Sequence, residues 1–259
     1  MVREIVVILP GTRKTSRNIK ANIEDLSVDI KMIPIIDVKV DYGAVGEAYE
    51  KFSSESSIDL SIFTSKTAVR IVRELIPRAW RWAKVRSVAI GPGTASLLNS
   101  LGVENVDVPS EHSSNGLIEF LKGVPNNTSI TLYCSMHVNP SLEEFVRSFF
   151  NHNYIFKLYS INKLIDRVDN IVKLVKSKPS KRFLVILTSL QILRILLEDG
   201  RLQHLKNVSF SAISRRIADE AERLGFPISH NPQKCRIDEY YADLRNYLKN
   251  LLNSQPSTL

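Results

Sequence analysis

No apolar run in this chain approaches the roughly 18 residues that a membrane-spanning helix needs. Near the amino end only Ile5–Leu9 is continuously apolar before Pro10 and Gly11, short of the roughly 7–15 residues of a secretory apolar stretch. The expected location is therefore the cytoplasm, with no membrane partner. Cysteine is scarce: Cys134 and Cys235 make no disulfide framework and stand too far apart for a zinc or redox pair. The histidines, His112, His137, His152, His204 and His230, are dispersed, with no helical pair at metal-ligand spacing, so no metal is expected. A G-x-S-x-G elbow and a P-loop are both absent. Also missing is any basic tail or Lys/Arg block interleaved with aromatics, although 35 basic residues against 27 acidic ones give a net charge of +8. Such a balance permits a polyanionic partner, nucleic acid or a multiply carboxylated metabolite, without saying which, and the even spread of the charge weighs against nucleic acid. Asn126-Asn127-Thr128 matches a glycosylation sequon but reads as a polar turn, and the tail 255–259 (QPSTL) reads as a loose end.

What is present is alternation. Hydrophobic residues make up 44% of the chain, enough for a substantial core. Short β-branched runs at Ile5–Leu9, Leu60–Phe63, Ser87–Ile90, Ser129–Tyr133, Phe183–Leu187 and Val208–Ile213 predict strands. Between them apolar residues recur at helical spacing: Ala68, Val69, Val72, Leu75 and Ile76 in one stripe, Leu142, Phe145, Val146 and Phe149 in another. Leu164, Ile165, Val168, Ile171, Val172 and Val175 make a third. This pattern predicts parallel sheets covered by helices on both faces.

Two long extended segments interrupt the rhythm, Lys31–Asp41 and Ile155–Lys163, with a full set of strands and helices between them. They predict linker strands around an inserted domain at 37–157, leaving 1–33 plus 161–259 to build a first, discontinuous domain. An internal echo supports two copies of one plan. Ile186–Glu198 repeats the layout of Ile62–Glu74, strand then Thr-Ser then amphipathic helix, and Val208–Phe226 parallels Val85–Val103.

The polar residues of interest stand where strands give way to helices. At Thr64-Ser65-Lys66 a hydroxyl can cap the helix start, or the free amides and the helix dipole can hold a carboxylate with Lys66 adding charge. Thr188-Ser189 repeats this without the lysine. Gly91-Pro92-Gly93-Thr94-Ala95 opens another helix. It reads either as a tight turn capped by Thr94 or as a place where a ligand approaches the backbone; it is not a dinucleotide fingerprint. His112-Ser113-Ser114-Asn115-Gly116 again offers hydroxyl caps, with His112 read as a surface loop residue. Ser135-Met136-His137 shows no partner acid for a nucleophile–base pair.

Taken in order, these elements resemble the uroporphyrinogen-III synthase family over nearly the whole chain. Pro34–Val38 is similar to a first interdomain strand, Ile62–Val69 to the strand-Thr-Ser-x-x-Ala-Val element, and Val88–Val103 to the Gly-x-x-Thr-Ala helix start. Ser113–Leu121 resembles the Ser-x-x-Gly-Leu helix that follows, and Leu158–Asn162 the returning strand with its tyrosine, Tyr159. Leu184–Ile192 and Phe210–Phe226 resemble the matching parts of the second half. Ser214-Arg215-Arg216-Ile217 departs from a Gly-x-x-Thr pattern, Leu190-Gln191 stands where small residues or proline are usual, and Cys134–Asn139 lacks an Arg-Gly stretch.

The resemblance implies an α/β fold of two Rossmann-like parallel-sheet domains joined by a two-stranded linker. It implies a monomeric enzyme using no metal or organic cofactor on a polycarboxylate tetrapyrrole precursor, hydroxymethylbilane. The reaction expels the terminal hydroxyl as water, inverts the last ring through a spirocyclic intermediate and closes the macrocycle. By the same resemblance Tyr159 and Thr94 are expected to be catalytic. Thr64, Ser65, Lys66, Gly91, Gly93, Ser113, Ser114, Thr188, Ser189 and Arg13 are expected to bind substrate. The rivals are a non-catalytic two-domain small-molecule sensor sharing the fold, favoured by the altered 214–217 loop, and a nucleic-acid-binding protein, motivated by charge alone.

Overall fold

The structure is a computed structural model and describes residues 4–54, 57–231 and 237–253; Cys235 and the tail 255–259 lie outside the described residues. Strand β1 (Ile5–Leu9), helix α1 (Arg13–Ile23) and strand β2 (Asp29–Met32) come first. After β3 (Ile36–Val40) the chain runs through α2 (Tyr42–Ser54), β4 (Leu60–Phe63), α3 (Lys66–Leu75), α4 (Pro77–Ala83), β5 (Ser87–Ala89) and α5 (Pro92–Ser100). Then follow β6 (Val106–Asp107), α6 (Ser114–Lys122), β7 (Ser129–Ser135), α7 (Pro140–Phe149) and the long β8 (His152–Lys163). The last third holds α8 (Ile165–Lys176), β9 (Arg182–Leu187), α9 (Leu190–Asp199), β10 (Val208–Ala212), α10 (Arg215–Arg223), β11 (Ile228–His230) and α11 (Ile237–Asn253). These elements form two compact units, Met1–Asp37 with Asn162–Leu259, and Val38–Ile161.

The first unit is built on a five-stranded parallel sheet in the order β11-β10-β9-β1-β2. One face carries Ile5, Val7, Leu9, Leu184 and Ile186, packed with Ile19 and Ile23 of α1 and with Tyr240, Leu244 and Leu248 of α11. The alternate residues Val6, Ile8, Phe183, Val185 and Leu187 are buried as well. Both faces are therefore covered, as crossover connections demand of a parallel sheet.

The second unit holds a six-stranded sheet, β3-β8-β7-β4-β5-β6, parallel from β8 to β6. Leu60, Ile62, Ile130, Leu132 and Cys134 point to one face with Leu117 and Leu142, while Phe63, Ala89, Tyr133 and Phe156 point to the other with Phe52, Val69 and Leu98. The period of two along β4 and β7 produces this division directly. Strand β3 joins β8 at the edge. Asp41 N–H donates to Leu158 O and Leu164 N–H donates to Ile35 O, so residue numbers rise along one strand as they fall along the other.

The spatial orders β11-β10-β9-β1-β2 and β6-β5-β4-β7-β8 are the same arrangement met by the chain at different starting points. Each is a permuted copy of the other, with β9 standing for β4 and β1 for β7. Chain direction across the sheet reverses between β9 and β1 in one unit and between β4 and β7 in the other. In open α/β sheets ligands gather beside the carboxyl ends of strands at such a reversal.

Local differences from the sequence reading have simple causes. The extended segment Lys31–Asp41 is two strands rather than one. Ile33 and Ile35 donate to Leu9 O and Pro10 O, but Pro34 between them has no N–H, and β3 begins afresh at Ile36. Strand β5 stops at Ala89, β7 continues to Ser135, and β6 and β11, two and three residues long, are too short to show a period.

Candidate active site

In the second unit the residues singled out by sequence stand along the carboxyl edge of the sheet. Thr64 ends β4, and both its N–H and its Oγ1 donate to Tyr133 O on β7, at 3.2 and 3.3 Å. Its hydroxyl thus fastens the β4–β7 junction. Ser65 is the N-cap of α3: its backbone is extended and its Oγ accepts from Ala68 N–H at 3.0 Å. Lys66 is the first residue of that helix and reaches across to the next turn. A Cβ placed on Gly93 would sit 3.2 Å from Lys66 Cε and 3.3 Å from its Nζ. Partial burial, then the nearby Arg70 charge, lowers the lysine pKa from its ordinary value.

The Gly-Pro-Gly turn differs from its sequence reading. Gly91, not Thr94, is the N-cap of α5, and no side chain caps that helix. Pro92 takes the first helical position, where its missing N–H costs nothing. Thr94 therefore lies inside the first turn, 7% exposed, with its N–H bonded to Gly91 O. His112 covers the other side of the turn, its Cβ 3.3 Å from where a Cβ on Gly91 would be. The turn is flanked by two basic side chains, His112 and Lys66. Ser113 caps α6, accepting from Gly116 N–H at 3.0 Å and donating to Glu111 Oε1 at 2.6 Å, while Ser114 is the first helical residue.

Tyr159 comes from β8, two strands away from β4. Its ring packs into the core of the second unit and the residue is 3% exposed. Its hydroxyl lies 2.7 Å from Ser65 Oγ, across the end of β7, where Met136 N–H donates to Tyr159 O. Burial raises the phenol pKa, the Ser65 bond opposes that rise, and Cys134 adds slightly to it. The structure so joins two residues 94 positions apart in sequence.

In the first unit the corresponding edge carries Arg13, Thr188 and Ser189. Arg13 is exposed at the start of α1, a helix capped by Thr12, whose Oγ1 accepts from Thr15 N–H. Ser189 caps α9, accepting from Ile192 N–H at 3.3 Å. Thr188 lies against Gly11, where a Cβ would come within 2.9 Å of its Oγ1. Ser214 starts α10 without a side-chain cap bond, as Gly91 does at the corresponding start of α5. Sequence reasoning passed over Thr12, and it read His112 as a surface loop residue, which is how it stands. Pro10-Gly11-Thr12 after an apolar run was the available signal for the first, whereas the place of His112 over Gly91 is a tertiary fact.

One other polar cluster lies in the first unit. Ser211 Oγ stands 2.8 Å from His230 Nδ1 and 3.0 Å from the Tyr240 hydroxyl, with Ser211 and Tyr240 fully buried and His230 half-buried. Among the described residues no group of three or more His, Cys, Asp or Glu side chains could hold a metal ion. No helix among them is long and apolar enough to cross a membrane.

Fold and site define a class: a two-unit α/β protein whose parallel sheets both end in hydroxyl-capped helix starts, one of them bearing a buried tyrosine hydroxyl. The family described as uroporphyrinogen-III synthase HemD matches residues 17–242, and the chain belongs to the uroporphyrinogen-III synthase family, cyclising lyases of haem biosynthesis. No curated protein matches the chain by sequence. Among solved structures it is similar to a mutant uroporphyrinogen III synthase from Thermus thermophilus, at 17% identity and a TM-score of 0.66, over 96% of this chain and 100% of that one. The wild-type Thermus thermophilus enzyme gives 16% identity and a TM-score of 0.55, over 96% and 99%. The Helicobacter pylori enzyme gives 14% and 0.48, over 98% and 100%. The two Thermus likenesses speak for the fold.

Proposed function

We propose that this chain takes hydroxymethylbilane, expels its terminal hydroxyl as water, inverts the last pyrrole and closes the ring to uroporphyrinogen III, as a monomer in the cytoplasm without metal or organic cofactor. The observation that carries this reading is the row of helix starts at the carboxyl edge of the second sheet, beside the Tyr159 hydroxyl. A linear tetrapyrrole fringed with acetates and propionates needs many anion contacts and one group near its leaving hydroxyl. Free amides at helix starts attract carboxylates, and a net charge of +8 favours their capture.

In this reading Tyr159 supplies a hydrogen bond or proton to the departing hydroxyl, and its raised pKa keeps it protonated for that purpose. The uncapped amides of α5, with Thr94 in the first turn, Gly91 and Gly93 in the approach and Lys66 beside them, bind a carboxylate. Ser113 and Ser114 at α6 are further contacts, and Arg13, Thr188 and Ser189 are those offered by the first unit. Thr64, tied to Tyr133 O, acts by fixing the junction as much as by contact. Most of the catalytic task is geometric, since holding a flexible chain in one reactive fold is worth up to about 7–11 kcal/mol in ideal cases.

The test is to supply hydroxymethylbilane and identify the ring isomer formed. Conversion to uroporphyrinogen III is expected. Formation of the unaided isomer alone, at the rate seen without protein, would leave the sensor reading in its place.

A further inference from the structure

We infer that Ser65 is not a substrate contact but a positioning residue, which donates its hydroxyl proton to the Tyr159 oxygen and so turns the phenolic proton outward to the leaving group. This rests on the reading of Tyr159 given above. A serine hydroxyl has one proton and two lone pairs. Ala68 N–H occupies one lone pair at 3.0 Å, which fixes the side chain in place. The Tyr159 hydroxyl at 2.7 Å takes up a further valence of the same oxygen. Were Tyr159 the donor of that contact, its proton would be held by Ser65 and unavailable. With Ser65 as donor the phenolic proton is free, and the same bond steadies the charge that grows on the phenol oxygen as the proton departs.

The residue type fits the double task. Aspartate caps a helix as well as serine does but has no proton to give when ionised. The neighbouring Thr64 cannot substitute, because its hydroxyl already donates to Tyr133 O. The permuted copy provides an internal comparison. Ser189 caps α9 in the same way from the strand corresponding to β4, and among the described residues no tyrosine hydroxyl bonds to it. The Ser65–Tyr159 bond is therefore an addition to the cap, found in the unit that bears the tyrosine.

The experiment compares Ser65→Gly, Ser65→Thr, Tyr159→Phe and the double variant Ser65→Gly/Tyr159→Phe with hydroxymethylbilane as substrate. Glycine keeps most of the capping preference while deleting the hydroxyl. In Ser65→Gly kcat is expected to fall on the order of tenfold with KM within about twofold, the signature of an interaction used only in the transition state. Ser65→Thr, which restores the hydroxyl, should return kcat to within about threefold, and Ser65→Gly should add less than about twofold to the loss in Tyr159→Phe. An unchanged kcat in Ser65→Gly, a rise in KM alone, or independent additive losses in the double variant would overturn the role of Ser65 while leaving that of Tyr159. Full turnover in Tyr159→Phe would overturn both.

Discussion

At the residue scale, two side-chain environments decide what can be altered. Gly116 lies in the first turn of α6 directly against the turn before it: a Cβ there would come within 2.0 Å of Glu111 O. A backbone carbonyl cannot swing aside as a side chain can, so the Ser113 cap and the 111–116 turn must shift together. Gly116→Ala is expected to cost on the order of 1–3 kcal/mol, read from urea unfolding midpoints. Cys134 is fully buried on β7, and its thiol is pushed up to about 12, first by burial and then by the Glu143 charge. The folded protein therefore keeps the thiol protonated at pH 8, and the reactive thiolate appears only as pH rises toward that value or as the chain unfolds. In a Cys235→Ser background, iodoacetamide at pH 8 should label Cys134 many times faster in urea than in buffer. Equal rates in the two conditions would contradict the burial.

Elements differ in how their first turns are satisfied, and stability should follow. Ser113 bonds the Gly116 amide, whereas Ser214, in an extended conformation at the start of α10, makes no such side-chain bond. Ser113→Ala is expected to lower stability by about 1 kcal/mol, while Ser214→Ala stays within about 0.5 kcal/mol. Denaturant unfolding of both variants under one condition checks the pair, and the order of the two losses matters more than either size. The same local chemistry explains how well elements could be read in advance. Strands β1 and β4 stand where β-branched runs placed them, and α3 and α8 bury most of the stripes their spacing defined, with Leu75 and Ile165 at the stripe ends left exposed. Of the two readings of the Gly-Pro-Gly turn, the one with Thr94 as cap does not hold, because a threonine near a helix start looks the same in sequence whether it caps the helix or lies in its first turn. Only the extended backbone at Gly91 and the proline after it decide which residue caps.

For the whole molecule, two compact units, each with a sheet and core clusters of its own, predict two cooperative bodies. Nature supplies a reporter for one of them. Both tryptophans, Trp80 and Trp82, pack against the core of the second unit, so tryptophan emission follows that unit alone while far-ultraviolet dichroism follows both. Urea unfolding monitored by the two probes is expected to give midpoints that do not coincide, which coincident single transitions would contradict. The permuted strand order gives each unit its own carboxyl edge and its own reversal point, and the site residues read from sequence stand at those edges. That placement was legible because Thr-Ser at a strand end is a local pattern repeated in both halves.

The sequence by itself determined the alternation of strands and helices, the hydroxyl-bearing junctions and the family, since period, capping and motif order are all written in neighbouring residues. Tertiary structure alone decided that Tyr159 meets Ser65, that His112 and Lys66 flank one glycine turn, and that the two sheets are permuted copies. The physical reason is reach: a hydrogen bond spanning 94 residues exists because β8, β7 and β4 lie side by side, and strand adjacency leaves no mark on either segment that it joins.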